Sequence, residues 1–231
     1  WLIWERRSEL QLFASNGNFS PGIFLVMFGV VMLIAGKAGG EYFMMRSSFI
    51  FVFWGLFRIV FGGEEFRKCL FPLAFLFFMI PIPYILYDVI AFPLKMLSSW
   101  IGEHTLYAIG VPAFREGNII YLPNLQLEVA DACSGIRSLI ALMALAMVAA
   151  HLFRIGVIPG IILFLFAAPI TVGTNSLRII ITGIISNYYG PKYANGFLHE
   201  IYGLGIFILN ALLIFYIGAK LKKLRCGSSP D

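Results

Sequence analysis

The chain has 231 residues, of which 60% are hydrophobic and 13% charged, with a net charge of +5 and a mean hydropathy of +0.87. Soluble domains carry roughly 45–50% apolar and about 25% charged residues, so this composition excludes an ordinary soluble domain and indicates an integral membrane protein. The basic residues form short clusters between apolar runs, as in KLKKLR at 220–225. That is the pattern of cytoplasmic loops rather than of a basic face, so we expect no nucleic-acid partner.

The first seven residues look like the end of an apolar span. The stretch 1–4 is apolar and is followed by Glu5, Arg6 and Arg7. We therefore expect further membrane sequence upstream. Because no internal repeat, low-complexity tract or linker is visible, we predict a single domain over residues 1–231.

Several apolar stretches are long enough for membrane helices, which need about 20 mostly apolar residues. One of them, at 90–111, contains Pro93, Lys95, Glu103 and His104, so it either crosses the membrane or lies along its surface. We predict an all-α fold, a polytopic membrane helical bundle of about six to eight spans. The uninterrupted candidates are residues 22–38, 47–61, 69–87, 137–153, 157–174 and 201–218.

The segment 115–132 is not membrane-like. Leu125 and Leu127 alternate with Gln126 and Glu128, a period of two that predicts a short strand or an extended loop. Since an open strand cannot lie in lipid, we expect this segment outside the bilayer or over a polar cavity.

The basic C-terminal cluster predicts the orientation of the later helices. If 220–225 is cytoplasmic, counting spans backwards places His199, Arg178 and Cys133 at the outer face of the membrane. The orientation of the first half depends on 90–111. If this stretch stays at the outer face, the pairs Arg6–Arg7 and Arg67–Lys68 are cytoplasmic, as the charge rule favours.

Cys133 lies at the start of a predicted helix, in the sequence EVADACSGIRSL. Free N–H groups at a helix start favour a thiolate, and Arg137, about one turn later, adds positive charge. Ser134, together with the following glycine, permits a close approach. The alternative is a buried cysteine that acts as a small apolar residue, which is how we interpret Cys69 and Cys226.

Two further polar groups occur in apolar runs. Arg178 lies in NSLRIIITG, with Asn175 three residues earlier on the same helix face. It either faces a cavity or extends to the lipid headgroups. His199 in GFLHE is either an interfacial residue or a general acid and base. The cysteines lack CxxC spacing, so we expect no metal site and no cofactor.

Together, Cys133, Arg178 and His199 are the groups that cysteine acyl transfer requires: a nucleophile, a cation for the oxyanion and a proton carrier. Two rival interpretations remain. One is a small membrane transporter, and the other is a structural component of an envelope or exopolysaccharide assembly system. Both predict that no covalent adduct forms on Cys133.

The three blocks EVADACSGIRSL, NSLRIIITG and GFLHE, in this order, resemble the signatures of the exosortase/archaeosortase family. FPLAFLFFMIPIPYIL and REGNIIYLPNLQLEVADACSG are similar to the exosortase branch, so the resemblance runs from about residue 71 to 218. It implies a multi-pass protein of the bacterial inner membrane with a periplasmic active site. It also implies catalytic roles for Cys133, Arg178 and His199.

The resemblance further implies a cysteine protease or transpeptidase, with no cofactor, that acts on exported, membrane-tethered proteins. Their C-terminal sorting signal is of the PEP-CTERM kind, a short motif followed by a transmembrane helix and an Arg cluster. The partners would be this tail, the lipid bilayer and, for transpeptidation, an amine-bearing acceptor. Acids beside a catalytic thiol would raise its pKa, so we expect Glu128 and Asp131 to pair with Arg178 or Arg137, or to hold the strand-like segment, rather than act as bases.

Overall fold

The computed structural model describes residues 19–81, 83–123, 125–128, 136–190 and 197–226. These residues are mainly helical, which confirms the predicted helical membrane protein, and a small sheet lies between the fourth and fifth helices. The helices are α1 Ser20–Gly39, α2 Tyr42–Lys68, α3 Leu70–Phe75, α4 Tyr84–Ala108, α5 Ile136–Phe153, α6 Val157–Tyr189 and α7 Phe197–Cys226. The strands are β1 Phe114–Glu116, β2 Ile119–Leu122 and β3 Leu125–Glu128.

Within the described residues, four helices are long and apolar enough to cross a membrane. They are α1, α2, α6 and the part of α7 from Gly203 to Leu224. The stretch Ser138–Phe153 of α5 is also an apolar helix, but it is shorter than these four. The multi-pass membrane protein is therefore confirmed, while the count of six to eight spans stays a prediction.

The structure corrects the helix predicted over 69–87. The chain forms α3, then a 3-10 turn at Leu76–Met79, and Ile80 is extended with φ −86° and ψ 121°. Pro81 follows Ile80, and a residue before proline is disfavoured in the helical region because the proline ring clashes with it. The next helix, α4, begins only at Tyr84 and then continues through Pro93.

Helix α6 is much longer than the predicted span 157–174. It contains 33 residues and continues through Pro169 and Gly173. Membrane helices tolerate proline when neighbouring groups satisfy the freed backbone. At 1.5 Å per residue α6 is about 50 Å long, against a hydrocarbon thickness of about 30 Å. Part of α6 must therefore extend beyond the hydrocarbon or tilt strongly.

The chain divides into two compact units, Trp1–Tyr84 and Ile85–Asp231. The single domain predicted over 1–231 stays a prediction.

In the first unit α1 and α2 form an antiparallel hairpin that packs through small residues. Gly22, Gly29 and Gly36 are the buried residues of α1, spaced seven apart. A Cβ added to Gly55 of α2 would lie 2.7 Å from both Gly22 O and Val26 N, so the two backbones are in direct contact.

The second unit contains a bundle of α5, α6 and α7. A Cβ added to Gly218 of α7 would lie 2.9 Å from Phe153 of α5 and 3.4 Å from Leu163 of α6. These residues are late in α5 and α7 but early in α6, so α6 runs antiparallel to the other two. The buried core of the bundle comprises Leu139, Leu142, Ala146, Ala149, Ile155, Leu163, Ala167 and Ile214.

The sheet is an antiparallel meander in the order β1-β2-β3, with Phe114 opposite Tyr121 and Ile120 opposite Leu127. The strand predicted from the alternation at 125–128 is confirmed as β3, and the structure adds β1 and β2. Ile120 and Leu122 pack with Ile179 of α6, the residue after Arg178. The sheet therefore contacts α6 at the level of Arg178.

We predict that Gly55→Ala destabilises the first unit, because the added methyl group would overlap the backbone of α1. Overpacking of this kind costs about 1–3 kcal/mol. Thermal unfolding in detergent should show a lower Tm than wild type. Gly39→Ala is the matched control, since nothing lies within 4 Å of its added Cβ. Equal Tm values for the two variants would contradict the close packing.

Candidate active site

One end of the α5–α6–α7 bundle contains a small pocket. All three helices contribute to it, each through residues in or near one of the blocks EVADACSGIRSL, NSLRIIITG and GFLHE. The lining residues are Ser138 from α5, Thr171, Thr174, Asn175 and Arg178 from α6, and Gly203, Ile206, Phe207 and Asn210 from α7. The blocks around Cys133, Arg178 and His199 are thus associated with helices that meet at one pocket.

Arg178 is the cation of this pocket and is partly buried. Its Nη1 atom lies 3.8 Å from the position that a Cβ on Gly203 would occupy. The guanidinium therefore lies against the backbone of α7, and no side chain at position 203 separates them. Position 199 precedes Gly203 by four residues in α7, which is about one helical turn. Arg178 thus approaches the turn of α7 that follows His199.

The side of α6 that faces the pocket is polar. Thr171, Thr174, Asn175 and Arg178 follow the i, i+3, i+4, i+7 spacing of one helix face. The hydroxyl of Thr171 donates to the Ala167 carbonyl at 2.7 Å. The threonine hydroxyls therefore bond within α6, and Asn175 and Arg178 are the longer polar groups of this face.

Asn210 brings a second amide to the pocket from α7 and is only 2% exposed. Its Nδ2 donates to Thr174 Oγ1 at 3.0 Å, while the Thr174 hydroxyl donates to the Ile170 carbonyl at 2.8 Å. Among the residues that line the pocket, two buried atoms have no hydrogen-bond partner in the described part of the chain: Asn210 Oδ1 and Asn175 Nδ2. Native proteins rarely leave such groups unpaired, so both atoms are candidates for contact with a ligand.

The predicted site residues are described to different extents. Asn175 and Arg178 line the pocket together. Glu128 is the last residue of β3, Arg137 is the second residue of α5, and His199 is the third residue of α7. Arg137 thus immediately precedes the pocket residue Ser138 in sequence. Asp131, Cys133 and Ser134 lie outside the described residues, between the end of β3 and the start of α5.

Sequence reasoning missed Thr174 and Asn210 as pocket residues. Polar residues within apolar spans usually face the interior of a bundle, and Asn210 is such a residue in the apolar stretch 203–218 of α7. Thr174 is one turn before Arg178, on the face already assigned to Asn175. Both could have been proposed from these signals, although their hydrogen bond depends on the packing of α6 against α7.

The family model for transmembrane exosortases matches residues 1–216. The chain belongs to the transmembrane exosortase family. No curated protein and no solved structure matches it. The matched range includes α5, α6 and α7 as far as residue 216, and therefore every residue that lines the pocket.

We predict that positions 133 and 199 are accessible from one side of the membrane and position 222 from the other. In the bundle the starts of α5 and α7 lie at the pocket end, and Lys222 lies beyond Gly218 at the opposite end. The measurement uses variants with Cys69 and Cys226 replaced by Ala. The single cysteine is then native Cys133, or His199→Cys or Lys222→Cys in a chain that also carries Cys133→Ala. A membrane-impermeant thiol reagent should label the first two on the same side. Labelling of positions 133 and 199 from opposite sides would contradict the arrangement.

Proposed function

We propose that this member of the transmembrane exosortase family is a membrane-embedded cysteine protease or transpeptidase that cleaves the C-terminal sorting signal of exported proteins. One observation carries the proposal. The helices associated with the Cys133, Arg178 and His199 blocks converge on one pocket, and Arg178 lines it. Polar residues within membrane helices are costly, and a cluster of them from distant parts of the sequence usually marks a functional site.

The first half of the proposed reaction forms a thioester. The thiolate of Cys133 attacks the scissile carbonyl carbon, a C–S bond forms, and the carbonyl electron pair moves onto oxygen. Arg178 stabilises this oxyanion. The oxyanion then collapses, the C–N bond breaks, and His199 donates a proton to the departing amine.

The second half resolves the thioester. Water or an amine attacks the acyl carbon while His199 accepts the proton of the attacking group, and the C–S bond breaks to restore the thiolate. Attack by water gives a carboxylate, which is hydrolysis. Attack by an amine-bearing acceptor gives a new amide, which is transpeptidation. Both outcomes use the same residues.

The position of Arg178 supports its role as the oxyanion partner. Arginine stays charged in apolar surroundings, and hydrogen bonds to charged groups are strongest where water is excluded. Its guanidinium approaches the α7 backbone at Gly203 because glycine leaves room there. We assign Glu128 and Asp131 to pairing with Arg178 or Arg137, and Ser134 to the close approach beside the thiol.

The length of α6 supports a position of Arg178 at the membrane boundary opposite to the start of α6. Arg178 follows Val157, the first residue of α6, by 21 positions, which is about 32 Å along the helix. If Val157 lies at the cytoplasmic boundary, Arg178 therefore lies at the periplasmic one. A substrate helix with a cytoplasmic Arg cluster would then present its cleavage motif at the level of Cys133.

We predict that co-expression with an exported protein carrying a sorting tail yields a shortened product, and that Cys133→Ala abolishes it. Arg178→Ala should slow processing by about 100-fold or more, as removal of an oxyanion partner does in other acyl-transfer enzymes. Mass spectrometry of the new C-terminus is the measurement. Cys226→Ala, at the last residue of α7, is the control and should process normally. Unchanged processing by Cys133→Ala would refute the mechanism.

A further inference from the structure

Two residues that line the pocket, on adjacent helices, carry one unpaired buried donor and one unpaired buried acceptor among the described residues. Asn175 on α6 is 6% exposed and its Nδ2 has no hydrogen-bond partner in the described part of the chain. Asn210 on α7 is 2% exposed, and its Oδ1 also has no hydrogen-bond partner in the described part of the chain. Both side chains line the pocket that contains Arg178. A ligand that satisfies both groups must carry an acceptor and a donor.

The orientation of the Asn210 amide follows from its neighbour. The Thr174 hydroxyl donates to the Ile170 carbonyl and accepts from Asn210 Nδ2. With Nδ2 bonded to Thr174, Oδ1 is the amide atom of Asn210 left for a ligand.

A peptide group has the matching chemistry. Its C=O and N–H point in opposite directions across the trans bond, which suits partners on two different helices. A chain must also lose its helical hydrogen bonds before a thiolate can reach one of its carbonyls. Unpaired backbone groups are costly where water is scarce, so a cleavage site beside a membrane needs substitute partners for them.

We infer that Asn175 and Asn210 bind the main chain of the substrate beside the scissile bond, an inference that rests on the proposed function. Asn175 Nδ2 donates to a substrate carbonyl oxygen, and a substrate N–H donates to Asn210 Oδ1. The two asparagines thus hold the cleavage segment in an unwound form between α6 and α7. Because they contact the main chain, they favour cleavage without selecting particular side chains.

The inference predicts opposite effects on stability and on processing. An unpaired buried donor costs stability in the substrate-free protein, so Asn175→Ala should leave Tm equal to or above that of wild type. The same variant should lower kcat/KM for the processed tail by about 10-fold, because one substrate hydrogen bond is lost. Ser186→Ala is the matched control. Ser186 is also on α6, is 0% exposed and has an unpaired Oγ, but it does not line the pocket. It should process at the wild-type rate.

A second measurement identifies the substrate atoms. Synthetic copies of the processed tail carry a single backbone ester in place of an amide, scanned across the scissile region. An ester has no N–H, so the copy that lacks the N–H bonded by Asn210 should bind about 10-fold more weakly to the full-length Cys133→Ala protein. In a chain that also carries Asn210→Ala, the same ester should have no further effect.

The outcomes separate this inference from the proposed function. Processing by Cys133→Ala would contradict the proposed function itself. If processing requires Cys133 but Asn175→Ala and Asn210→Ala retain wild-type kcat/KM, only the main-chain contact is wrong and the two amides bind water alone. A Tm for Asn175→Ala that falls in parallel with activity, or an ester effect that persists in Asn210→Ala, would also overturn the inference.

Discussion

Polar groups between membrane helices must find partners within the protein, because the hydrocarbon offers none. In the α5–α6–α7 bundle this constraint separates two regions. The end near Phe153, Leu163 and Gly218 is closely packed and apolar. The other end holds two asparagines, two threonines and Arg178 around one pocket. The threonines bond to carbonyls of their own helix, whereas each asparagine keeps one buried amide atom without a hydrogen-bond partner among the described residues.

The sheet and α4 determine the surroundings of this polar end. Ile120 and Leu122 of β2 pack against Ile179, and a Cβ added to Gly102 of α4 would lie 2.6 Å from Ile179 Cγ2. The residue beside Arg178 is therefore held between a strand and a closely packed helix. Since an open sheet cannot lie in lipid, this part of α6 is covered by protein or lies above the hydrocarbon. Such a position suits chemistry at a membrane boundary.

Much of this organisation could be predicted from the sequence. The apolar stretches at 22–38 and 47–61 lie within α1 and α2, and the alternation at 125–128 is β3. The helix predicted over 69–87 was wrong because the prediction rested on average hydropathy. It did not consider that Pro81 disfavours a helical conformation of Ile80. The continuation of α6 from residue 174 to Tyr189 was missed because the apolar run is interrupted there by Asn175 and Arg178.

The pocket itself was only partly predictable. Arg178 and Asn175 stood out as polar residues in an apolar run, but Asn210 depends on how α7 faces α6, which no local pattern specifies. Whether these helices serve a covalent mechanism is the central question. Excess hydroxylamine during processing tests it most directly, since hydroxylamine attacks a thioester and leaves a hydroxamate on the acyl group. A Cys133 thioester predicts a new C-terminus that carries the hydroxamate, and no such product from Cys133→Ala. A product that ends only in a carboxylate under excess hydroxylamine would contradict the thioester mechanism.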